Sequence, residues 1–479
     1  MTTPTARRHV NVELLNRLRD VLGGTRVSHG TLDGISYSRD LWPRGTLDVR
    51  RGRIENRPEL IAWPETTEEV SRILRICNEM RVPVVPFGAG SGMCGAAVPR
   101  RGGIILDLKR MKQVERISDQ SNLVVCQPGI LGAHLERELN RHGYTLGHLP
   151  GSLGTSTVGG YLATRSAGLA ATYYGKIEDM VISLQVVLPD GTVVTTRTAP
   201  RRATGPDFNH LFLGSEGALG VITRTHLRIH LLPEAYFFRG LAFKNLAAGL
   251  ESLRLILRCG MRPLFVRLCD EDDTATTMNE LGIAVRGCLL VLIFGGGAGM
   301  VELSGRKAVE ICRGLDGRDH GEEPARVWYE HRYAEHYRQS EILAEPETIF
   351  DTIEVAATWR DIEGVYRAVR GAVPKEIRLA AHVPHAYPEG CSLEFTMTGR
   401  AKAKKDLELY DRAWSLVLDA LGKNGGVLSH HHGIGLQKDK WRARQQPVAE
   451  TLLRALKRQL DPYDILNPGK FDGEPEDAC

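Results

Sequence analysis

The glycine-rich stretch Pro86-Phe-Gly-Ala-Gly-Ser-Gly-Met-Cys-Gly95 decides the fold of this chain. Two more stretches of small residues follow, Pro150-Gly-Ser-Leu-Gly-Thr-Ser-Thr-Val-Gly-Gly160 and Gly214-Ser-Glu-Gly-Ala-Leu-Gly-Val-Ile222. Each lies near an apolar run that predicts a buried strand. Because glycine lets a backbone approach another group closely, the three stretches together predict a large, flat ligand held against bare backbone.

The first stretch contains the spacing of a dinucleotide-binding motif, but its surroundings do not fit a Rossmann fold. Gly90-Ser-Gly92-Met-Cys-Gly95 reads as G-x-G-x-x-G, which in a Rossmann site opens a helix. Here Pro99 and Gly102 instead lead into another apolar run. A glycine loop without a helix can still surround a pyrophosphate with backbone N–H groups, and a tight surface turn is the alternative interpretation.

Length and composition define the class of protein. The 479 residues are enough for two to four domains, and 25% charged residues with a net charge of +4 are typical of a globular chain. This balance argues against a nucleic-acid partner and suits a small anionic substrate. The sequence lacks both a run of about 18 apolar residues and the apolar core of a signal peptide. Nine scattered cysteines without a CxxC pair then predict a reduced, cytoplasmic protein.

The apolar runs and helical periodicities alternate along the chain, which favours an α+β fold, with α/β as the alternative. A change in composition near Pro233 ends the glycine-rich half. Buried strands are predicted for Val82–Pro86, Ile104–Leu108, Leu123–Cys126, Met180–Leu188 and Cys288–Phe294. Helices are predicted for 67–80, with Thr67 as the N-cap, and for Leu131–His142, Leu246–Cys259 and Lys404–Leu421.

These glycine stretches, together with Thr164-Arg-Ser-Ala167, resemble the FAD-binding domain of the vanillyl-alcohol oxidase/PCMH flavoprotein superfamily. The resemblance implies a PCMH-type FAD fold of two subdomains, an α+β cap domain for the substrate, and a C-terminal segment that returns to the FAD domain. The expected boundaries are 1–58 for an N-terminal helical or irregular segment, 59–235 for the FAD domain, 236–425 for the cap and 426–479 for the returning segment.

The resemblance also implies which residues contact FAD. Covalent flavin attachment in the superfamily uses a histidine of the first loop, and none stands between Pro86 and Gly95. FAD is therefore expected to be non-covalent, with attachment to Cys94 as the alternative. The expected FAD contacts are Pro86, Gly88, Ala89, Gly90, Ser91, Gly92, Gly151, Ser152, Thr155, Ser156, Thr157, Thr164, Arg165, Ser166, Ala167, Glu216, Gly217, Gly220, Val221 and Ile222.

The C-terminal half resembles two branches of the superfamily. Ser429-His-His-His-Gly-Ile-Gly435 is similar to the triple-histidine loop of alkylglycerone-phosphate synthase, an ether-lipid enzyme that uses FAD without net redox change. In that resemblance Arg338 would bind the substrate phosphate. The segment Tyr387–Phe395 departs from the synthase, because Glu394 stands where the synthase has a catalytic tyrosine. A carboxyl with an ordinary pKa near 4.3 is a poor replacement for a phenol near 10.

The second branch contains the FAD-linked D-lactate, glycolate and D-2-hydroxyglutarate dehydrogenases. Their resemblance implies a divalent metal, either zinc, manganese or iron, bound by His382, Glu394 and His431, with His432 as the catalytic base. The alternative for Glu394 is an ion pair with Arg267 or Arg338. Consecutive histidines are most often surface residues, but His430, His431 and His432 are flanked by apolar residues, which favours the active site.

The predicted function is therefore oxidation of a small 2-hydroxy acid, or a similar anionic alcohol, by hydride transfer to flavin N5. The catalytic candidates are Glu394 and the three histidines, and the substrate-binding candidates are Arg267, Arg338 and Tyr387. Arg267 has a structural alternative, an ion pair with Asp270, and His385 is predicted to be a core histidine. Two other functions stay open, the ether-lipid synthase and a non-catalytic electron-transfer subunit, and so do the electron acceptor and a homodimer.

Overall fold

The computed structural model describes residues 11–402 and 405–471, except for the side chains of residues 335, 336 and 338. The predicted tail loop at 473–479 and Lys404, the predicted start of a helix, lie outside the described residues. Helices and strands alternate through the described ranges, which confirms the predicted α+β class.

The first part of the chain forms a small, mostly parallel sheet covered by helices. Its elements are α1 Val12–Leu22, β1 Val27–Ser28, α2 Thr31–Ser36, α3 Pro43–Arg50, β2 Leu60–Ala62, α4 Thr67–Met80, β3 Val84–Phe87 and β4 Ile104–Asp107. The strand order is β1-β2-β4-β3, and β2, β4 and β3 are parallel. Thr66 caps α4, since its hydroxyl accepts a hydrogen bond from the Glu69 N–H at 3.2 Å. The predicted cap, Thr67, is the first helical residue instead.

A second, antiparallel sheet of five strands carries the remaining glycine stretches. Its strand order is β5-β6-β10-β8-β9, and β7 pairs separately with β11. The elements are β5 Val114–Ser118, β6 Leu123–Cys126, α5 Gly132–Arg141, β7 Tyr144–Thr145, α6 Val158–Thr164, α7 Ala171–Tyr174, α8 Ile177–Met180, β8 Val181–Val187, β9 Val193–Thr195, α9 Phe208–Phe212, β10 Val221–Arg228 and β11 His230–Leu231. The glycine stretches lie between these elements, where the two sheets face a common cavity.

A seven-stranded antiparallel sheet with the order β15-β12-β14-β13-β17-β18-β16 forms the second half of the chain. Its strands are β12 Ala235–Phe243, β13 Phe265–Cys269, β14 Cys288–Gly296, β15 Arg318–Asp319, β16 Thr348–Thr358, β17 Ile377–Val383 and β18 Gly390–Arg400. Its helices are α10 Leu246–Arg258, α11 Glu271–Asp273, α12 Ala298–Arg313, α13 Glu323–His331, α14 Ala334–Ala344, α15 Ile362–Ala372 and α16 Asp406–Lys423. The apolar face of β16, β17 and β18 belongs to one large core, so their other face is available for a site.

The chain then returns to the glycine-rich half through α17 Gly435–Gln445 and α18 Pro447–Leu460. The backbone of Leu466 forms a parallel bridge with Val84 of β3. The Asn467 amide donates to the Glu216 carbonyl at 2.7 Å, and the Lys457 ammonium donates to the Ala218 carbonyl at 3.0 Å. The C-terminal segment thus packs on the first half, as the fold class predicts.

Candidate active site

The first glycine stretch forms a turn of bare backbone directly after β3. Gly90 has a φ of +68°, and a Cβ on it would lie 2.6 Å from the Phe87 ring. A Cβ on Gly88 would overlap the Thr157 hydroxyl. Because these positions exclude side chains, the backbone N–H groups of the turn can approach an anion. The turn therefore fits the pyrophosphate of FAD.

All three glycine stretches line one cavity of about 870 Å³. The Ser91 and Ser156 hydroxyls, 2.7 Å apart, join the first stretch to the second. Most of the expected FAD contacts lie in the cavity wall, namely Pro86, Gly88, Ala89, Gly90, Ser91, Gly92, Gly151, Ser152, Ser156, Thr157, Thr164, Ser166, Ala167, Glu216, Gly217, Gly220, Val221 and Ile222.

Thr155 and Arg165 are expected FAD contacts that the described cavity wall does not include. Arg165 ends α6 in the left-handed conformation, with a φ of 53°, and its guanidinium pairs with Glu178 at 3.2 Å. The Thr155 hydroxyl donates to the Ser152 carbonyl at 3.3 Å, within the turn itself. The Thr155 and Arg165 side chains are thus engaged in local contacts, and their contact with FAD stays a prediction.

Asp40 lines the cavity as well, although no sequence motif predicts it. Its carboxylate accepts hydrogen bonds from the backbone N–H groups of Trp42, at 3.1 Å, and Ala97, at 3.4 Å. Burial raises the pKa of this carboxyl to about 6. Asp40 precedes the FAD domain in sequence and belongs to no motif, so only the three-dimensional fold brings it to the cavity.

Glu216 connects the third glycine stretch to the histidine loop, residues 429–435. Its buried carboxylate accepts hydrogen bonds from the backbone N–H groups of Ile434, at 2.7 Å, and Gly435, at 2.9 Å. Burial raises the pKa of Glu216 to about 7. A Cβ on Gly433 would overlap this carboxylate, so the Gly-Ile-Gly sequence is what allows the close approach.

Glu354 of β16 holds the histidine loop from the other side. Its buried carboxylate accepts hydrogen bonds from the Ser429 hydroxyl at 2.6 Å and from the backbone N–H groups of His430, His431 (3.3 Å) and His432 (3.2 Å). The Lys438 ammonium, also buried, donates to it at 2.6 Å. Burial alone would raise the pKa of Glu354, but the Lys438 charge and these hydrogen bonds lower it to about 2. Glu354 therefore stays ionised and fixes the loop.

The three histidine side chains differ in what they face. His430 lies between Tyr387, whose hydroxyl is 3.0 Å from its Nε2, and His431, whose Nδ1 is 3.0 Å from its Nδ1. Burial lowers the pKa of His430 to about 3 and that of His431 well below its ordinary value. His431 and His432 line the cavity, and His430 is outside its described wall. The loop therefore presents two imidazoles to the cavity, of which that of His431 is neutral.

Glu394 faces the histidine loop from the neighbouring strand. His382 of β17 and Glu354 of β16 lie directly opposite Glu394 of β18 on its two sides, so all three side chains share one face of the sheet. The Glu394 carboxylate is 3.9 Å from Nε2 of His431, and its side chain is 20% exposed. This puts a partly accessible carboxylate beside a neutral imidazole in the cavity wall.

Arg267 is buried beside this row, near its member His382. The Arg267 guanidinium donates to Asp273 at 2.9 Å, so its ion-pair partner is Asp273 and the predicted pair with Asp270 is wrong. Asp270 instead accepts from Arg370 and from the Tyr366 hydroxyl, both at 2.9 Å. Burial, with the nearby Arg267 charge, lowers the pKa of His382 to about 3.

Two groups of side chains have ligand atoms within 4.8 Å of one another among the described residues: Glu394 with His431 and His432, and His385 with His430 and His431. His382, the third ligand expected from sequence, is in neither group, because it faces Arg267 and Asp273. His385 is not a simple core histidine, since its ring stacks on His430 at 5.3 Å and its buried Nδ1 has no hydrogen-bond partner in the described structure.

The expected substrate-binding residues lie in two layers, one in the cavity wall and one behind the histidine loop. Arg267 lines the cavity, whereas Tyr387 lies behind His430 and is not part of the described wall. Arg338 lies in α14, but its side chain is outside the described part of the structure. The structure adds a residue that sequence reasoning missed, Arg332, which lines the cavity with its guanidinium 3.8 Å above the Tyr329 ring.

Among the described residues, none of the helices is both long and apolar enough to cross a membrane. Comparison with known proteins matches residues 58–197 to the FAD binding domain family and residues 232–471 to the C-terminal domain of FAD-linked oxidases. Because each match coincides with one half of the fold described above, the cavity lies between a cofactor domain and an oxidase domain.

Two curated relatives extend over most of the chain. An alkyldihydroxyacetonephosphate synthase of Dictyostelium discoideum is 30% identical over 462 residues, which cover 89% of this chain and 75% of the relative. The glycolate oxidase subunit GlcD of Bacillus subtilis is 27% identical and covers 96% of this chain and 97% of the relative. The chain is thus similar to members of both branches that its sequence resembles.

Solved structures show the same fold. An alkyldihydroxyacetonephosphate synthase structure superposes with a TM-score of 0.81 at 25% identity and covers 98% of this chain and 86% of its own. p-Cresol methylhydroxylase, at 17% identity, superposes with a TM-score of 0.77 over 98% of each chain and confirms the predicted PCMH-type fold. With a family match over half of its length, this chain belongs to the FAD-linked oxidase family and is an FAD-binding enzyme.

Proposed function

We propose that this enzyme is a flavin-dependent dehydrogenase that oxidises a small anionic 2-hydroxy acid. The observation that carries the proposal is the Glu394 carboxylate, 3.9 Å from the neutral imidazole of His431 in the cavity wall. This pair can accept and orient a substrate hydroxyl, which an alcohol oxidation requires. Bound FAD supplies the two-electron acceptor chemistry of the reaction at its N5 atom.

His432 is the proposed general base. Its Nδ1 is 3.9 Å from the ionised Glu354, and we propose that the opposite ring nitrogen, Nε2, takes the hydroxyl proton. The imidazolium that forms is stabilised by the carboxylate, which does not itself need to accept the proton. Glu354 also binds the His432 backbone N–H, and it is therefore the positioning residue of this base.

The substrate carboxylate is proposed to bind Arg332 with help from Arg267. The Arg332 guanidinium lies over the Tyr329 and Tyr333 rings at 3.8 and 4.6 Å, and its buried Nε has no hydrogen-bond partner in the described structure. An aromatic surround lowers the local dielectric and strengthens a charge-assisted hydrogen bond to a carboxylate. Arg267 adds positive charge, although its ion pair with Asp273 partly neutralises that charge.

An ether-lipid synthase is the second candidate function. It is supported by the 30% identity to the Dictyostelium synthase and by the triple-histidine loop, which the resemblance matches to that of the synthase. Glu394 argues against it, because a carboxylate replaces the phenol that the synthase carries at the matched position. The similarity to a relative named a glycolate oxidase subunit supports the dehydrogenase instead.

Anaerobic mixing distinguishes the candidates. Purified enzyme with bound flavin is mixed with D-lactate, glycolate or D-2-hydroxyglutarate while the absorbance of oxidised flavin is followed, and separately with acyl-dihydroxyacetone phosphate plus a fatty alcohol. Bleaching by a hydroxy acid supports the dehydrogenase. Alkyl-product formation without an electron acceptor replaces it with the synthase. Silence in both arms removes the synthase and these three acids as substrates. If longer hydroxy acids also leave the flavin oxidised, the electron-transfer subunit remains.

A divalent cation fits the same site. Glu394, His431 and His432 supply a carboxylate and two imidazoles, a donor set that zinc, manganese and iron accept. Such an ion would act as a Lewis acid toward the substrate hydroxyl and would take His432 as a ligand. His432 is therefore the general base only in the alternative, an anion pocket without metal. Elemental analysis of untagged protein decides between them. A stoichiometric metal that Glu394→Gln removes supports the metal site, and its absence together with unchanged activity in chelator supports the anion pocket.

A further inference from the structure

The sheet face that carries Glu394 continues away from the histidine loop and forms the floor of the substrate cavity. Next to the row of His382, Glu394 and Glu354 comes a second row of Ala380, Thr396 and Thr352, and then a third row of Arg378, Thr398 and Phe350. All nine residues except Glu354 line the cavity. We name the second and third rows the threonine lane.

The threonine lane opens gradually to the outside. In the first row His382 and Glu354 are buried, the three residues of the second row are half-buried, and in the third row Arg378 and Thr398 are exposed. The residues between them, such as Leu379 and Met397, point to the other face and belong to the core. The lane is therefore a groove with a closed reactive end and an open end at Arg378.

Arg378 differs from Arg267 and Arg370, two other arginines of the cavity. Arg267 pairs with Asp273, and Arg370 pairs with Asp270 and Asp272. In the ranges that the structure describes, Arg378 takes part in neither an ion pair nor a hydrogen bond, and the same is true of the Thr396 and Thr398 hydroxyls. The lane thus offers an unneutralised guanidinium and two free hydroxyls to a ligand.

We propose that Arg378 binds a second anionic group of the substrate and that the threonine hydroxyls contact its chain. Arg378 lies four residues from His382, which at about 3.3 Å per residue is about 13 Å between Cα atoms. The substrate class is then an elongated, polyhydroxylated 2-hydroxy acid that ends in a carboxylate or phosphate, rather than lactate or glycolate. This inference rests on the proposed oxidation of 2-hydroxy acids.

Binding of inert ligands tests the second anion site without turnover. Adipate and hexanoate have equal chain lengths and no hydroxyl group, and they differ in the second carboxylate. Titration of the FAD-loaded enzyme by calorimetry should show adipate binding about tenfold tighter or more, as expected for a charge-assisted hydrogen bond. Arg378→Gln should remove this preference, and Arg367→Gln, which changes an exposed arginine of α15 outside the cavity wall, should retain it.

Turnover tests the chain and the terminal group. Gluconate, glucarate and 6-phosphogluconate share their carbon chain and differ at its end, and 2-hydroxyhexanoate lacks the additional hydroxyls. We expect kcat/KM to be higher for glucarate and 6-phosphogluconate, which carry a second anionic group, than for gluconate. The order of these two substrates identifies carboxylate or phosphate. Arg378→Gln should reduce that ratio by about tenfold, and Thr396→Val should reduce the ratio of gluconate to 2-hydroxyhexanoate.

The two proposals fail in different ways. If adipate binds no tighter than hexanoate, or if Arg378→Gln weakens both equally, the second anion site is wrong even when lactate reduces the flavin. If every hydroxy acid leaves the flavin oxidised while adipate shows its Arg378-dependent preference, the anion site stands and the proposed oxidation falls. Equal kcat/KM for lactate, glucarate and 6-phosphogluconate would also overturn the proposal of an elongated substrate.

Discussion

The cofactor end and the substrate end of the cavity are built by opposite means. At the cofactor end the glycine stretches keep side chains out, so that bare backbone faces the ligand. At the substrate end the chemistry belongs to side chains, which strands of the cap present to the histidine loop. The first end depends on local sequence and the second on residues that are far apart in the chain, and the two ends should therefore respond differently to substitution.

The two ends are joined by two buried carboxylates. Glu216 holds the histidine loop to the FAD domain through Ile434 and Gly435, and Glu354 holds it to the cap through Lys438 and the loop backbone. Their pKa values are shifted in opposite directions, to about 7 for Glu216 by burial and to about 2 for Glu354 by the ion pair. Of the two carboxyl groups, Glu354 is therefore fully ionised at neutral pH, whereas Glu216 titrates near neutral pH.

The largest expected effect is the loss of FAD in Gly90→Val. The new side chain would be strained at a φ of +68° and would collide with the Phe87 ring, which would displace the turn. The measurement is the flavin content of the purified protein by absorbance. Gly260→Val is the matched control, because its φ is +79° and a Cβ there meets nothing within 4 Å. Full flavin content in Gly90→Val would contradict the assignment of the loop.

His432→Ala should affect the opposite end alone. Loss of a general base slows the reaction by about 10²–10⁴-fold, while FAD content stays at the wild-type level because bare backbone holds the cofactor. Stopped-flow measurement of flavin reduction by the best hydroxy acid gives the rate. His142→Ala, at an exposed position on the FAD domain, is the control. A reduction rate within about threefold of wild type would remove His432 from the mechanism.

The sequence predicted the cofactor end better than the substrate end, and for a physical reason. Gly88, Gly90 and Gly217 must lack a side chain, and this requirement is visible in the residue type itself. Glu354 looks like any charged residue of a strand until the fold places it beside the loop, more than 70 positions away in sequence. The surroundings of the predicted metal ligand His382 could not be predicted for the same reason, because only the fold places it near Arg267 and Asp273.

Glu354→Gln tests how the loop is fixed. Removing one member of a buried ion pair leaves Lys438 uncompensated and costs about 3–5 kcal/mol. Urea unfolding should show this loss, and the double variant Glu354→Gln with Lys438→Met should recover most of it. If the losses of unfolding free energy in the two single variants simply add up in the double variant, the pairing is contradicted.

The same ion pair gives a pH dependence of stability. The pKa of Glu354 is lowered in the folded protein, so its contribution is complete above the ordinary carboxyl pKa and is lost as the pH falls toward about 2. The melting temperature of the wild type should therefore fall more steeply on acidification than that of Glu354→Gln. Parallel curves for the two proteins would show that Glu354 is not the group that titrates.

The smallest effect is expected for Tyr387→Phe, and it separates the two layers of the substrate end. The Tyr387 hydroxyl contacts His430 and not the described cavity wall, so its loss should disturb the orientation of the histidine loop without removing a substrate contact. One neutral hydrogen bond corresponds to about a two- to tenfold change. We expect this change in kcat with an unaltered KM. Tyr366→Phe, which removes a hydroxyl bonded to Asp270 elsewhere in the cap, controls for general loosening of the sheet. A rise in KM at constant kcat would instead place Tyr387 in contact with the substrate, as the sequence had predicted.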